Sequence, residues 1–254
     1  MPSVSRRRCL AGAAAGALVA TAGCLFDSCS PTDPGTARWP QARGDPGNTN
    51  ATPGLPAITD GKERWTAETE AADLDGLAAV GDVVVAAGRT DRGEAGVLTA
   101  LDLADESSRE TYELGRPATG TPALDRGVAV VPVLDSFTEP DTGGLVAVDL
   151  SESTEPWTHG TTGRPNPPTI ADGTVVASSD AGEVAALDGA DGTVQWERSF
   201  GDERQRARVP APPAVDGDRA YLTAQGSAAQ GIYALDRGSG ETQWSIRGPD
   251  VPNA

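Results

Sequence analysis

The sequence predicts an all-β protein, a β-propeller of small antiparallel sheets arranged radially, on three observations. A tryptophan-ended unit recurs along the chain, its aromatic anchors falling at 112, 157, 196 and 244, steps of 39 to 48 residues. That step matches a four-stranded propeller blade. Short β-branched and apolar runs alternate with Asp-Gly and Gly-rich turns, and no stretch has helical periodicity.

The clearest copies are the last two. Gly182-Glu183-Val184-Ala185-Ala186-Leu187-Asp188 leads through Gly192 to Trp196, and Gly231-Ile232-Tyr233-Ala234-Leu235-Asp236 leads through Gly240 to Trp244. Both read A-x-D-x-x-x-G-x-x-x-W. An earlier copy, Ala147-Val148-Asp149 to Trp157, has Ser153 in place of the glycine. The weakest, Ala100-Leu101-Asp102, reaches only Tyr112, after two extra residues. Upstream of each lies a second shared piece: Leu77–Val85, Pro122–Val131, Pro168–Val176 and Pro213–Leu222. Asp172-Gly173, Asp191-Gly192 and Asp216-Gly217 are hairpin signals, because such turns need positive φ.

One element lacks its blade. Asp60-Gly61-Lys62-Glu63-Arg64-Trp65-Thr66 matches Asp191–Glu197, the last strand of a unit, with no first three strands before it. The expectation is about four blades plus this orphan strand. Either the ring is incomplete, leaving 60–66 loose or paired with a neighbour, or a small ring closes by pairing 60–66 with 232–246.

The domain reading is a signal peptide over 1–23, a flexible Pro/Gly-rich tether over 24–59 and propeller repeats over 60–254. Ser5-Arg6-Arg7-Arg8-Cys9-Leu10 resembles a twin-arginine export motif, with Arg6 and Arg7 as its signature pair. An Ala/Gly-rich stretch follows, too short for a membrane-spanning helix, which needs about 20 apolar residues. Thr21-Ala22-Gly23-Cys24 resembles a lipobox, departing from it at Thr21, and makes Cys24 the lipidation site. Together they imply export by the twin-arginine route and a lipid anchor on the extracytoplasmic face of the cell membrane. With Cys9 removed and Cys24 lipidated, Cys29 is left alone, so no disulfide framework is available to the fold. The tether lacks apolar periodicity and cannot fold alone. Within it Trp39-Pro40-Gln41-Ala42-Arg43-Gly44-Asp45 stands out, since an aromatic in a linker usually docks somewhere.

Asp and Glu number 37 against 20 Lys and Arg, a formal charge of −17, and Lys62 is the only lysine. Such a surface repels nucleic acid and anionic lipid and stays hydrated in high salt, the composition of a halophile.

These residues resemble the pyrroloquinoline-quinone-like (PQQ-like) repeat, and from about residue 39 onward the chain is similar to propeller lipoproteins of the outer-membrane assembly factor BamB family. The resemblance implies a ring of about eight blades, so the four units here form an incomplete one. It also implies that the motif tryptophan stacks between adjacent blades beside the motif glycine. Trp65, Trp157, Trp196 and Trp244 are then blade-docking residues, with Ala186, Asp188, Gly192, Ala234, Asp236 and Gly240 framing the turns. The alternative for the tryptophans is an aromatic cage.

The expected function is a non-enzymatic, membrane-anchored scaffold that binds envelope proteins, without cofactor, metal or catalytic residues. The competing reading is a quinoprotein dehydrogenase using PQQ and calcium, or a remnant of one. Against it, the repeats hold no cysteine and no assignable carboxylate set for calcium. Asp188, Asp191 and Gly192 fall short of an EF-hand loop, which runs twelve residues to a bidentate Glu. His159, expected in an exposed loop, is the only histidine, too few for a zinc site or a triad. Arg204, Arg206 and Arg208 read as a solvated loop.

Overall fold

The computed structural model describes residues 37–50, 63, 65–91, 93–104, 107–136, 142–201, 207–226 and 229–248. They form seventeen strands in four antiparallel sheets, each blade following the previous one in sequence. The first blade comprises β2 (Asp73–Gly81), β3 (Val83–Arg89), β4 (Gly96–Asp102) and β5 (Ser107–Glu113). The second has β6 (Ala123–Asp125), β7 (Val128–Leu134), β8 (Thr142–Asp149) and β9 (Thr158–Thr162). The third has β10 (Thr169–Ala171), β11 (Thr174–Ser178), β12 (Glu183–Asp188) and β13 (Val194–Ser199). The fourth has β14 (Ala214–Asp216), β15 (Arg219–Ala224), β16 (Gly231–Asp236) and β17 (Thr242–Arg247).

The shared pieces upstream of each motif are the first hairpins of the blades. Asp172 and Gly173 take φ of +51° and +82° in a two-residue turn between β10 and β11, the mirror-type turn that suits strand twist. Arg126 and Gly127 make the equivalent turn in the second blade, at +49° and +85°.

Blades pack face to face. Val85, Leu98 and Ala100 of the first meet Leu124, Val131 and Val148 of the second. Val130 and Leu145 meet Val175 and Leu187, and Val176 and Val184 meet Leu222 and Leu235. The middle strands are therefore buried on both faces, as the run Gly143–Val148 is, whereas all six residues of β17 are exposed.

The inner strands neighbour one another in the order β2, β6, β10, β14, and the series does not close into a ring. The orphan strand is not formed at Trp65. Glu63, Trp65 and Thr66 lie outside any strand, and Trp65 is half-buried, while Asp60–Lys62 and Arg64 lie outside the described residues. An outermost strand needs a third strand to bond to, and β16 already has β15 and β17 on its two edges. The small closed ring is thus not the arrangement adopted.

A second difference concerns the expected tether. Ala37–Trp39 forms β1, antiparallel to β2 with Ala37 opposite Gly81 and Trp39 opposite Ala79, making the first sheet five-stranded. The chain then continues as an ordered strap to Asn50. Composition hides this because a strap draws its hydrogen bonds from other elements and needs no periodicity of its own.

Candidate functional site

The boundaries between blades are sealed by one repeated device. At the end of the A-x-D segment the aspartate folds back on its own turn. Asp149 Oδ1 accepts from the backbone N–H of Ser151 and Glu152, Asp188 Oδ1 from Ala190, and Asp236 Oδ1 from Gly238 and Ser239. At Asp149 and Asp236 those bonds favour the charged form. Donation from Ser151, hydroxyl first and then backbone, holds Asp149 below the ordinary carboxylate range, and the N–H and hydroxyl of Ser239 do the same for Asp236.

Capping leaves the carbonyl of the next residue pointing at the preceding blade, where an aromatic donates to it. Tyr112 Oη donates to Leu150 O at 3.2 Å, Trp157 Nε1 to Gly189 O at 3.1 Å, and Trp196 Nε1 to Arg237 O at 2.6 Å. The ring lies over the residue four positions after the aspartate. A Cβ on Gly192 would sit 2.6 Å from Trp157, and one on Gly240 2.6 Å from Trp196. Both glycines, and Ser153 at the matching position, have positive φ of +72°, +71° and +56°. Ala186 and Ala234 face Trp196 and Trp244 across the outer strand pair, and the register shifts immediately after each alanine. The same bulge follows Ala100.

The fourth blade repeats the device with nothing described beyond it. Trp157 and Trp196 are 7% and 9% exposed, but Trp244 is 42% exposed, beside Ile232 at 45% and Ile246 at 63%. Tyr221 stands 6.0 Å from the Trp244 ring and completes an apolar face. The first blade carries the same cap, Ala104 N donating to Asp102 Oδ1 at 2.7 Å. Cys24, Arg6 and Arg7 lie outside the described residues.

Other titratable groups give little chemistry. His159 lies in β9 opposite Leu145, half-buried, not in a loop, because the blade-ending tryptophan precedes an outer strand that sequence patterning left unplaced. Burial pushes Asp75 up despite Arg89 at 3.2 Å and the nearby Arg164. A cleft of about 250 Å³ beside Tyr112 is lined by Glu110, Glu113 and Glu155, and Ser153 Oγ donates to Glu110 there at 2.7 Å. Arg208 pairs with Asp180 at 3.5 Å, while Arg204 and Arg206 lie outside the described residues. Among the described residues no group of three or more His, Cys, Asp or Glu side chains is placed to hold a metal ion.

A family profile described as outer membrane protein assembly factor BamB matches residues 54–253. Among solved structures, quinohemoprotein alcohol dehydrogenase ADHIIG from Pseudomonas putida HK5 is similar, with 16% identity over 85% of this chain and 40% of its own, at a TM-score of 0.58. The computationally designed Ika4 protein is 11% identical over 70% of this chain and 100% of its own, at 0.53. BamB from Moraxella catarrhalis is 18% identical over 67% of this chain and 60% of its own, at 0.47. At such identities the likeness is one of fold. The chain spans less than two thirds of the length of either natural protein. No curated protein matches the sequence.

Proposed function

Because the chain belongs to the family of the outer membrane protein assembly factor BamB, we propose that it is a non-enzymatic scaffold that binds proteins at the cell envelope. In this reading twin-arginine export delivers it and a lipid on Cys24 holds it on the extracytoplasmic face. The observation that carries the scaffold reading is the outer face of the fourth blade. Trp244, Ile232 and Ile246 stand 42%, 45% and 63% exposed on adjacent strands. Apolar side chains grouped on one sheet face mark an interaction surface more often than scattered ones do.

A photo-crosslinking residue at Ile246, compared with one at Glu197 on the outer strand of the third blade, tests this in intact envelopes. The expected result is a discrete protein adduct at 246 that Trp244→Ser abolishes. Equal labelling at both positions would remove the surface from consideration. Anchoring is tested separately, since a lipid chain supplies about 0.8 kcal/mol per buried methylene. Cys24→Ser, with the signal still cleaved, should leave the protein soluble.

The dehydrogenase alternative draws on the fold shared with the Pseudomonas enzyme over 85% of this chain. Reconstitution with PQQ and calcium addresses it directly. No stoichiometric quinone absorbance and no dye-linked alcohol oxidation are expected.

A further inference from the structure

β1 and the strap that follows it together touch every blade. After β1 has paired with β2, the Pro40 carbonyl accepts from Leu124 N in β6 at 2.6 Å. Gln41 Oε1 accepts from Ile170 N in β10 at 2.8 Å, and Pro46 O accepts from Val215 N in β14 at 2.6 Å. Asn48 Nδ2 donates to the carbonyls of Pro212 and Pro213 at 3.4 and 3.1 Å, just before β14. The strands β6, β10 and β14 are the innermost of their sheets. Their free edges would otherwise present unpaired donors, the usual template for strand addition.

The chemistry of the strap suits that edge. Pro40 and Pro46 supply carbonyls and have no N–H to leave unsatisfied, which is why proline is tolerated at sheet edges. Gln41 is 1% exposed, and its Nε2 has no partner among the described residues. Burying an unpaired amide group carries a desolvation penalty, and the bond the side chain does make goes to Ile170. The strap is also shaped in advance. Trp39 lies over Gly44, where a Cβ would stand 3.0 Å from the ring, and Gly44 has φ of +87°. Gly44 N donates to Gln41 O, and Asn50 N closes the following loop onto Arg43 O, both at 3.0 Å.

We propose that the inner edges of the second, third and fourth blades form a peptide-binding groove whose occupant in cis is Ala37–Asn50. The groove recognises an extended Trp-Pro-Gln segment followed by Pro-Gly-Asn. The proline carbonyls and the glutamine amide read the three edge donors, and the asparagine reads the paired proline carbonyls before β14.

Two measurements test the groove. The first is hydrogen exchange on the full chain with near-isosteric variants. Gln41→Met removes the acceptor for Ile170, and Asn48→Asp removes the donor while keeping a residue that tolerates the positive φ of +55°. Each should speed exchange locally by about tenfold, at Ile170 for Gln41→Met and at Val215 for Asn48→Asp. The inner-ladder amides of Val176 and Leu222 should be unchanged. Wild-type rates at both sites, or one uniform rise that includes Val176 and Leu222, would overturn the proposal. The second uses a full chain carrying a protease site between Asn50 and Glu63, cut after folding. The strap fragment should stay bound and exchange with a labelled synthetic 37–50 peptide, and a Gln41→Met peptide should bind about tenfold more weakly, a loss of about 1.4 kcal/mol. Release of the fragment without rebinding, or equal affinity of the two peptides, would refute recognition of the strap sequence.

Discussion

Trp196 donates its indole N–H to the carbonyl of Arg237, 2.6 Å away, across the boundary between the third and fourth blades. The bond exists because Asp236 caps its own turn and fixes the direction of the next carbonyl. The indole plane then closes over Gly240. One residue thus joins the turn of one blade to the outer strand of another.

Removing that ring should cost as much as losing any large buried aromatic. Trp196→Ala is expected to destabilise the protein by about 3–5 kcal/mol in denaturant titration. Trp244→Ala offers a control at the same motif position, since Trp244 is 42% exposed against 9% for Trp196. It should cost less than half as much. Equal losses would mean that the contact with the next blade contributes nothing beyond burial within the sheet.

The turns and the aromatics that dock on them were legible in sequence because the A-x-D-x-x-x-G-x-x-x-W spacing encodes a cap, a left-handed residue and a ring at fixed offsets. Even the departures carry over: Ser153 adopts positive φ and Tyr112 donates to Leu150 in place of an indole. What the spacing could not reveal was the strap. Pro40, Gln41 and Pro46 bond to residues at least 84 positions away, and no local pattern signals such partners. Trp65 is the converse case. Its local match to Asp191–Glu197 is good, but a strand exists only where another strand bonds to it.

The glycine of the docking turn is required twice, by backbone and by space. Gly240→Ala places a methyl 2.6 Å from Trp196 at φ +71°. Gly217→Ala meets nothing within 4 Å at φ +58° and carries the left-handed penalty alone. That penalty is about 1–2 kcal/mol. Gly240→Ala should lower stability by clearly more, together with a change in tryptophan fluorescence as the ring shifts. Indistinguishable unfolding midpoints for the two variants would show that the ring yields freely.

The capping aspartates set an acid limit. Hydrogen bonds from Ser151 to Asp149 and from Ser239 to Asp236 depress both groups below the ordinary aspartate value of 3.8. A carboxylate depressed in the folded state contributes stability that is fully present above its unfolded pKa and is lost as pH falls below it. Asp75, raised by burial, acts in the opposite sense, and its contribution weakens the fold as pH rises just above 3.8. Stability should therefore fall as pH drops below about 3.8, and Asp149→Asn with Asp236→Asn should flatten that fall. Chemical denaturation of wild type and double variant at a series of pH values gives the comparison, and parallel curves would remove the turn carboxylates as its cause.

The exposed end face should govern association. On β16 and β17, Ile232, Trp244 and Ile246 lie on one side of the sheet, and Ile232 is directly opposite Ile246. The sheets elsewhere bury the matching residues against a neighbour, as Ala186 and Trp196 are buried against the fourth blade. The outer edge of β17, which pairs with no strand among the described residues, adds backbone groups available for pairing, a second source of self-association. High negative charge opposes contact at low salt, so screening should expose the tendency, and at 1 M salt the Debye length is about 3 Å. Sedimentation velocity in high salt should then show concentration-dependent oligomers of the chain. Trp244→Ser with Ile246→Ser should shift them toward monomer without changing the secondary structure. If the oligomers persist unchanged in that double variant, the apolar face is not what brings the chains together. If instead they fall only when charged residues are placed on the β17 backbone edge, strand pairing accounts for the association.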